Sequence, residues 1–388
     1  MKGLIVICFL ILLNLIGCST SVNNDLTTKN ILATFPEINQ SLYDETLITV
    51  PKWDSIFTLS ADQQQIFLTY YQQQLNSGIP AHKALANFLS DKLSNFTYYG
   101  ETLIAQQAMK LDRGNCMSLA ILTTALANLV NIKVDYREVE SIPVFEKKNS
   151  ILLTSKHVQA VIYDPNFVEN SDFYYLVKPA IIMDYFPSTS NRVVSGIIKT
   201  SLVARYYSNI AAKHLASNDL NSAFVFAQKA YKFDKSFIDI INLLGVIHRR
   251  AGDEVTAEVF YRFGLRQQPD NIELLKNYLV LLTQQDRKID VAKFEQHVAT
   301  LHDPNPYNWL KQAYIAQHQA RLRKAEKYYL KTIDSAPYLQ EAYLGLYQLY
   351  LRKGNKSKAI STIEMAIPWT HDDENKQRYH AKLFSLTN

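Results

Sequence analysis

The stretch Asp112-Arg113-Gly114-Asn115-Cys116-Met117-Ser118-Leu119 has the composition of a turn that opens straight into a helix. Leu119, Leu122, Leu126 and Leu129 follow at steps of three, four and three, which is one face of an α-helix. Gly114 supplies permissive turn backbone, and Asn115 is a favoured N-cap whose side chain accepts an orphan amide hydrogen of the first turn. Cys116 then falls at the first helical position, where unpaired amides and the positive end of the helix dipole favour a thiolate over a thiol. A thiolate so placed is a nucleophile for a carbonyl carbon. The same placement also suits a small buried residue, so the rest of the chain has to decide between the two.

The three cysteines fall in three different contexts. Cys8 lies in an apolar run from Leu4 to Leu13, preceded by Lys2, which has the charged and apolar regions of a secretory signal and is short for a spanning helix. The run closes on Leu15-Ile16-Gly17-Cys18, which resembles the bacterial lipobox. That resemblance implies removal of residues 1–17, lipidation of Cys18 and, with Ser19 next in line, an outer-membrane anchor facing the periplasm. Cys116 would be the one thiol left in the processed chain, in a compartment where an exported thiol is either buried or used.

A length of 388 residues with 47% hydrophobic content predicts a packed chain of two domains. The net charge of +5 is spread among mixed acidic and basic residues with no basic run to track a phosphate backbone, so no nucleic acid partner is expected. Residues 18–50, rich in Asn, Thr and Ser, read as a polar tether. From residue 51 to about 200 helices come first. Ser60 is a cap candidate, and a second helix after Pro80 carries Ala84, Leu85, Phe88 and Leu89 on one face. After the cysteine helix the period falls to two. Ile132, Val134 and Tyr136 describe a strand, a loop holds Pro143 to Lys148, and β-rich segments follow at 156–163 and 180–186.

A helix bearing Cys followed by antiparallel strands bearing His and Asp is the layout of an α+β papain-like fold. Arg113-Gly114-Asn115-Cys116-Met117-Ser118-Leu119-Ala120, with His157-Val158 and Met183-Asp184-Tyr185-Phe186 downstream, resembles the transglutaminase-like superfamily, particularly its bacterial members coupled to tetratricopeptide repeats. The resemblance covers roughly residues 90 to 190. It implies a Cys-His-Asp site in which Cys116 attacks a carbonyl, His157 relays the proton and a carboxylate holds the imidazole.

Two residues compete for the carboxylate. Asp164 follows His157 by seven residues, about 23 Å along an extended strand and on its opposite face. Asp184 reaches His157 if segments 156–163 and 180–186 form a hairpin. Pairing 157 with 184 centres the connection on Asn170 and Ser171, where turn residues belong, although Pro179 signals an irregular register. Asp184 is therefore preferred, with Asp164 or another acid as alternatives. The Cys116 amide would meet the oxyanion, with Tyr98, Tyr99 or Thr102 as further donors. No histidine–cysteine cluster or calcium-loop pattern has ligand spacing, so neither a metal nor an organic cofactor is expected.

From residue 201 to 388 the chain repeats itself. Ala223, Ala257, Ala292, Ala325 and Ala359 recur at intervals of 34, 35, 33 and 34, the small residue at which two helices of a tetratricopeptide repeat touch. About five repeats and a capping helix would form an all-α superhelix with a concave face for a protein or peptide partner. The third unit carries an extra residue and weak second-helix positions. His214 and His248 take positions normally held by packing aromatics. Together these features predict an enzyme of cysteine hydrolase (peptidase or amidase) or acyltransferase type acting on an amide bond of a recruited protein. The alternative is a non-catalytic scaffold with the same fold.

Overall fold

The computed structural model describes residues 35–46, 48–92, 96, 101–148, 151–168, 175, 178–184, 192–370 and 373–387. The signal segment and the lipidation site proposed at Cys18 lie outside the described residues, as do Tyr98, Tyr99, Asn170 and Ser171. Among the described residues no helix is long and apolar enough to cross a membrane.

Helix α1 (Ala61–Asn76) starts in a complete capping box, in which the Ser60 hydroxyl takes the Gln63 amide and the Gln63 side chain returns to the Ser60 amide. Helix α2 (Ala81–Ser90) follows Pro80 and buries Ala84, Leu85, Phe88 and Leu89. A short α3 (Ala105–Leu111) leads to α4 (Cys116–Leu129). This last helix is buried from Cys116 through Ala127 on every side, not along one leucine face alone. The reason is its place at the centre, with α1, α2, α3 and the sheet all packed against it.

The sheet has the order β3-β2-β1-β4 with antiparallel pairs throughout. Strands β1 (Val134–Lys148) and β2 (Ile151–Tyr163) form one long hairpin, so the stretch expected as a loop around Pro143 belongs to a strand. The ladder absorbs the proline by a register shift between Val139 and Val144, which leaves Pro143 outside the paired positions. Strand β3 (Ala180–Met183) returns along β2 with Ala160 opposite Met183, two residues away from the register that would set 157 against 184. Strand β4 (Arg192–Ile197), not foreseen from the sequence, pairs on the free side of β1.

Ten helices then pair in sequence: α5 (Lys199–Ala216) with α6 (Leu220–Phe233), α7 (Ile238–Arg250) with α8 (Glu254–Gln267), and α9 (Ile272–Gln284) with α10 (Lys288–Thr300). The fourth and fifth pairs are α11 (Pro306–His318) with α12 (Leu322–Ser335), and α13 (Gln340–Arg352) with α14 (Lys356–Ala366), closed by α15 (Asp373–Thr387). This is a helical array of tetratricopeptide type. The repeat alanines Ala223, Ala257, Ala325 and Ala359 are fully buried, and a Cβ on Gly245 would fall 2.6 Å from the Tyr261 ring, so the paired helices meet on small residues. His248 is fully buried and stacks on Phe260, and His214 stacks on Phe226, as packing groups do.

Two features depart from the sequence-based organisation. One apolar core runs from Tyr43 to Leu282, so the change of architecture near residue 200 is not a break between cores. Arg205 of α5 also ion-pairs with Glu138 of β1 across that boundary. A second core runs from Leu310 to Tyr379, and α10, which lies between them, buries no residue. Residues 37–46 and 48–50, expected as part of a tether, pack against the first two helix pairs. The Tyr43 ring stacks on Phe224 with centroids 3.7 Å apart, and Asn39 donates to Asp253 at 2.8 Å. Polar composition hid this because only a few spaced side chains supply the apolar contact, the Tyr43 ring with Ile38, Ile48 and Val50 partly buried against the same core.

Candidate active site

The cysteine helix begins as the local chemistry requires. The Asn115 side chain accepts the Ser118 amide hydrogen at 3.0 Å, and its Nδ2 donates to Thr102 Oγ1 at 2.7 Å. The Ser118 hydroxyl accepts from the Leu103 amide and donates to the Glu101 carbonyl, stitching the preceding loop onto the first turn. Ser118 also explains Gly114: a Cβ there would stand 2.5 Å from Ser118 Cβ and 3.1 Å from the Phe96 ring. Thr102 serves the cap, since its hydroxyl accepts from both Asn115 and Asn209 of α5.

Cys116 is 7% exposed, and α4 packs on β2 so that its first turn faces His157, itself 1% exposed. His157 Nε2 lies 2.7 Å from Asp184 Oδ1. A carboxylate only accepts, so Nε2 carries the proton and the buried Nδ1 is the nitrogen left to serve the thiol. The structure thus brings Cys116, His157 and Asp184 together. Asp184 sits past the end of β3, opposite Gln159 by the observed register and diagonal to His157, a separation that long side chains bridge. Asp164 is elsewhere: it pairs with His82 Nδ1 of α2 at 3.3 Å.

Burial by itself would raise the Cys116 thiol. The His157 hydrogen bond and charge, with the backbone amides of Val158 and Met117, outweigh burial and hold the thiol below its ordinary value. Burial would lower His157, but its bonds to Asp184 and Cys116 outweigh that and push it up to about 9. The two shifts together favour a thiolate–imidazolium pair, the reactive form of a cysteine nucleophile.

Two residues at this site have no counterpart in the sequence reading. Gln159 Nε2 donates to Asp184 Oδ2, and Arg137 Nε donates to Gln159 Oε1 at 2.7 Å. Their signal was present only as spacing: Gln159 follows His157 by two residues and shares its face of the strand. Among the described residues no group of three or more His, Cys, Asp or Glu side chains is arranged to hold a metal ion.

No known protein-family profile matches the chain, and no curated protein sequence matches it. Solved structures similar to part of it include Pseudomonas aeruginosa PilF, at 16% identity over 47% of this chain and 84% of that one, with a TM-score of 0.29. PilW, described as a widely conserved type IV pilus biogenesis factor, matches at 16% identity over 47% of this chain and 93% of that one, with a TM-score of 0.25. YrrB, described as a TPR protein with an unusual peptide-binding site, matches at 20% identity over 46% and 91%, with a TM-score of 0.24. The repeat character of residues 199–366 rests on the chain's own helix pairs.

Proposed function

We propose that the chain is a cysteine acyl-transfer enzyme that acts on an amide or peptide bond of a protein substrate held by its helical repeats. The observation that carries this reading is the linkage of Cys116, His157 and Asp184, with His157 Nε2 2.7 Å from Asp184 Oδ1. In the first step the Cys116 thiolate forms a C–S bond to the substrate carbonyl. His157 gives its proton to the departing amine, whose C–N bond breaks. Water then attacks the thioester as His157 takes its proton, and the thiol is released. An amine in place of water makes the same site a transferase. In this reading the Cys116 amide would receive the oxyanion.

Incubation of the full chain with a p-nitrophenyl ester, followed by intact mass measurement, tests the reading. The expected result is an added acyl group on the wild type and none on Cys116→Ala; equal acylation of both sinks it. Adding a primary amine separates the two outcomes of the thioester by product mass.

A scaffold that only binds protein is the second reading, and the 7% exposure of Cys116 favours it. In that case electrophiles label Cys116 slowly and with an ordinary thiol titration. Binding of a protein or peptide segment by the repeats is common to both readings. Export, lipidation of Cys18 and an outer-membrane anchor facing the periplasm complete the proposal on the strength of the N-terminal sequence. An unlipidated Cys18 in protein purified from bacterial membranes would remove that part.

A further inference from the structure

His157 and Gln159 leave β2 on the same face, and both are buried, Gln159 at 3% exposure. The two oxygens of Asp184 are divided between them: Oδ1 takes the bond from His157 Nε2, and Oδ2 takes the bond from Gln159 Nε2. Arg137, directly opposite Gln159 on β1, closes the line by donating from Nε to Gln159 Oε1 at 2.7 Å.

Chemistry fixes the orientation of the Gln159 amide. A guanidinium has only donors and a carboxylate only acceptors. The amide therefore satisfies both neighbours in one orientation alone, with its oxygen toward Arg137 and its NH2 toward Asp184. The reversed amide would set N–H against N–H at one end and oxygen against oxygen at the other, inside a buried site where an unmet donor or acceptor costs about 1–3 kcal/mol.

We propose that Gln159, locked in orientation by Arg137, is a positioning residue that fixes the Asp184 carboxylate and, through it, the His157 ring presented to Cys116. The inference rests on the reading of Cys116 as a nucleophile. Asp184 needs outside support because it follows a strand of only four residues at the edge of the sheet. A neutral donor suits the task better than a cation. An amide NH2 fills the second oxygen without adding a charge to compete with the imidazolium, and the Arg137 charge stays one residue away.

The test is the rate of Cys116 alkylation by iodoacetamide in the full chain across pH, read on the Cys116 peptide by mass spectrometry. The wild-type inflection should fall below the reference thiol value of about 8.5. Gln159→Leu should raise that inflection and slow the reaction at pH values below it, about tenfold per unit of rise, with circular dichroism unchanged. In a His157→Asn background the same substitution should add nothing, since its effect passes through His157. A merely structural role would lower the melting temperature and leave the inflection where it was. If Gln159→Leu does not fold, Arg137→Met decides: the amide is then unlocked but present, and a smaller rise supports the proposal while an unmoved inflection overturns it. A low wild-type inflection that Gln159→Leu leaves unmoved overturns the positioning role alone. A wild-type inflection at or above the reference value overturns the nucleophile reading, and the positioning role with it.

Discussion

His157 Nε2 stands 2.7 Å from Asp184 Oδ1, and that one contact decides which ring nitrogen carries a proton and which turns to Cys116. Asp184→Asn puts at the same place a group that can donate as well as accept, so the tautomer is no longer enforced. At pH values below the thiol pKa the thiolate fraction should fall about tenfold for each unit by which the thiol then rises. Thiolate absorbance near 240 nm against pH measures it, and an unchanged titration would separate Asp184 from the thiol.

Alkylation and acylation should follow different pH profiles in the wild type. Alkylation needs only the thiolate, so it is lost as pH falls through the depressed thiol pKa and persists at high pH. Acyl-enzyme formation from an amide also needs a proton on His157, which is pushed up to about 9, so that rate should decline again above about pH 9. With His157→Asn only burial and the backbone amides act on the thiol. Burial is the largest of the influences on Cys116, so the alkylation limb should move upward.

Gly114→Ala should destabilise the chain by about 1–3 kcal/mol, because the new methyl meets Ser118 Cβ at 2.5 Å in a packed turn. Chemical denaturation gives the figure. Cys116 labelling should slow in the same variant, since Ser118 belongs to the cap that sets the start of α4.

His248 is buried, and burial, the largest influence on it, holds its pKa below the ordinary value against the pull of Asp253. The fold therefore prefers the neutral ring. The resulting stability is complete above the unfolded value of about 6.5 and is lost as pH falls through the lower folded value. Melting temperatures between pH 7 and pH 5 should fall more for the wild type than for His248→Phe, which keeps the stack on Phe260 and removes the titration.

Tyr43→Ala should release residues 37–50 from the first helix pairs. Loss of the Phe224 stack and of a side chain only 9% exposed should lower stability by about 3–5 kcal/mol where the segment stays docked, and by less where it detaches. Limited proteolysis distinguishes the two: detachment exposes new cleavage sites before Pro51.

Local physics made some of this legible in the sequence. The Asn115 and Ser60 caps are settled within three residues, and the repeat alanines mark the period in four of the five units, while Ala292 of the third is exposed. Long-range register was harder to read. A shift of two residues set Gln159, not His157, opposite Asp184 and so concealed the amide between Arg137 and the carboxylate. Pro143 argued locally for a loop, but a ladder that shifts register at one point accommodates it. The docking of Tyr43 depends on Phe224 and His248 far along the chain, which no local pattern joins to it.

Helix α10 has no fully buried residue, its Val291 and Phe294 pack only partly buried on the first core, and its pair makes little contact with α11 and α12. Cooperativity passes between neighbouring repeats only through shared interfaces, so it should lapse at residues 288–300. The chain would then melt in two steps, with the last two pairs loosening independently of the thiol site. A protein gripping that distal block would be tethered to the Cys116 end through a slack joint, free to present one segment after another to the same cysteine.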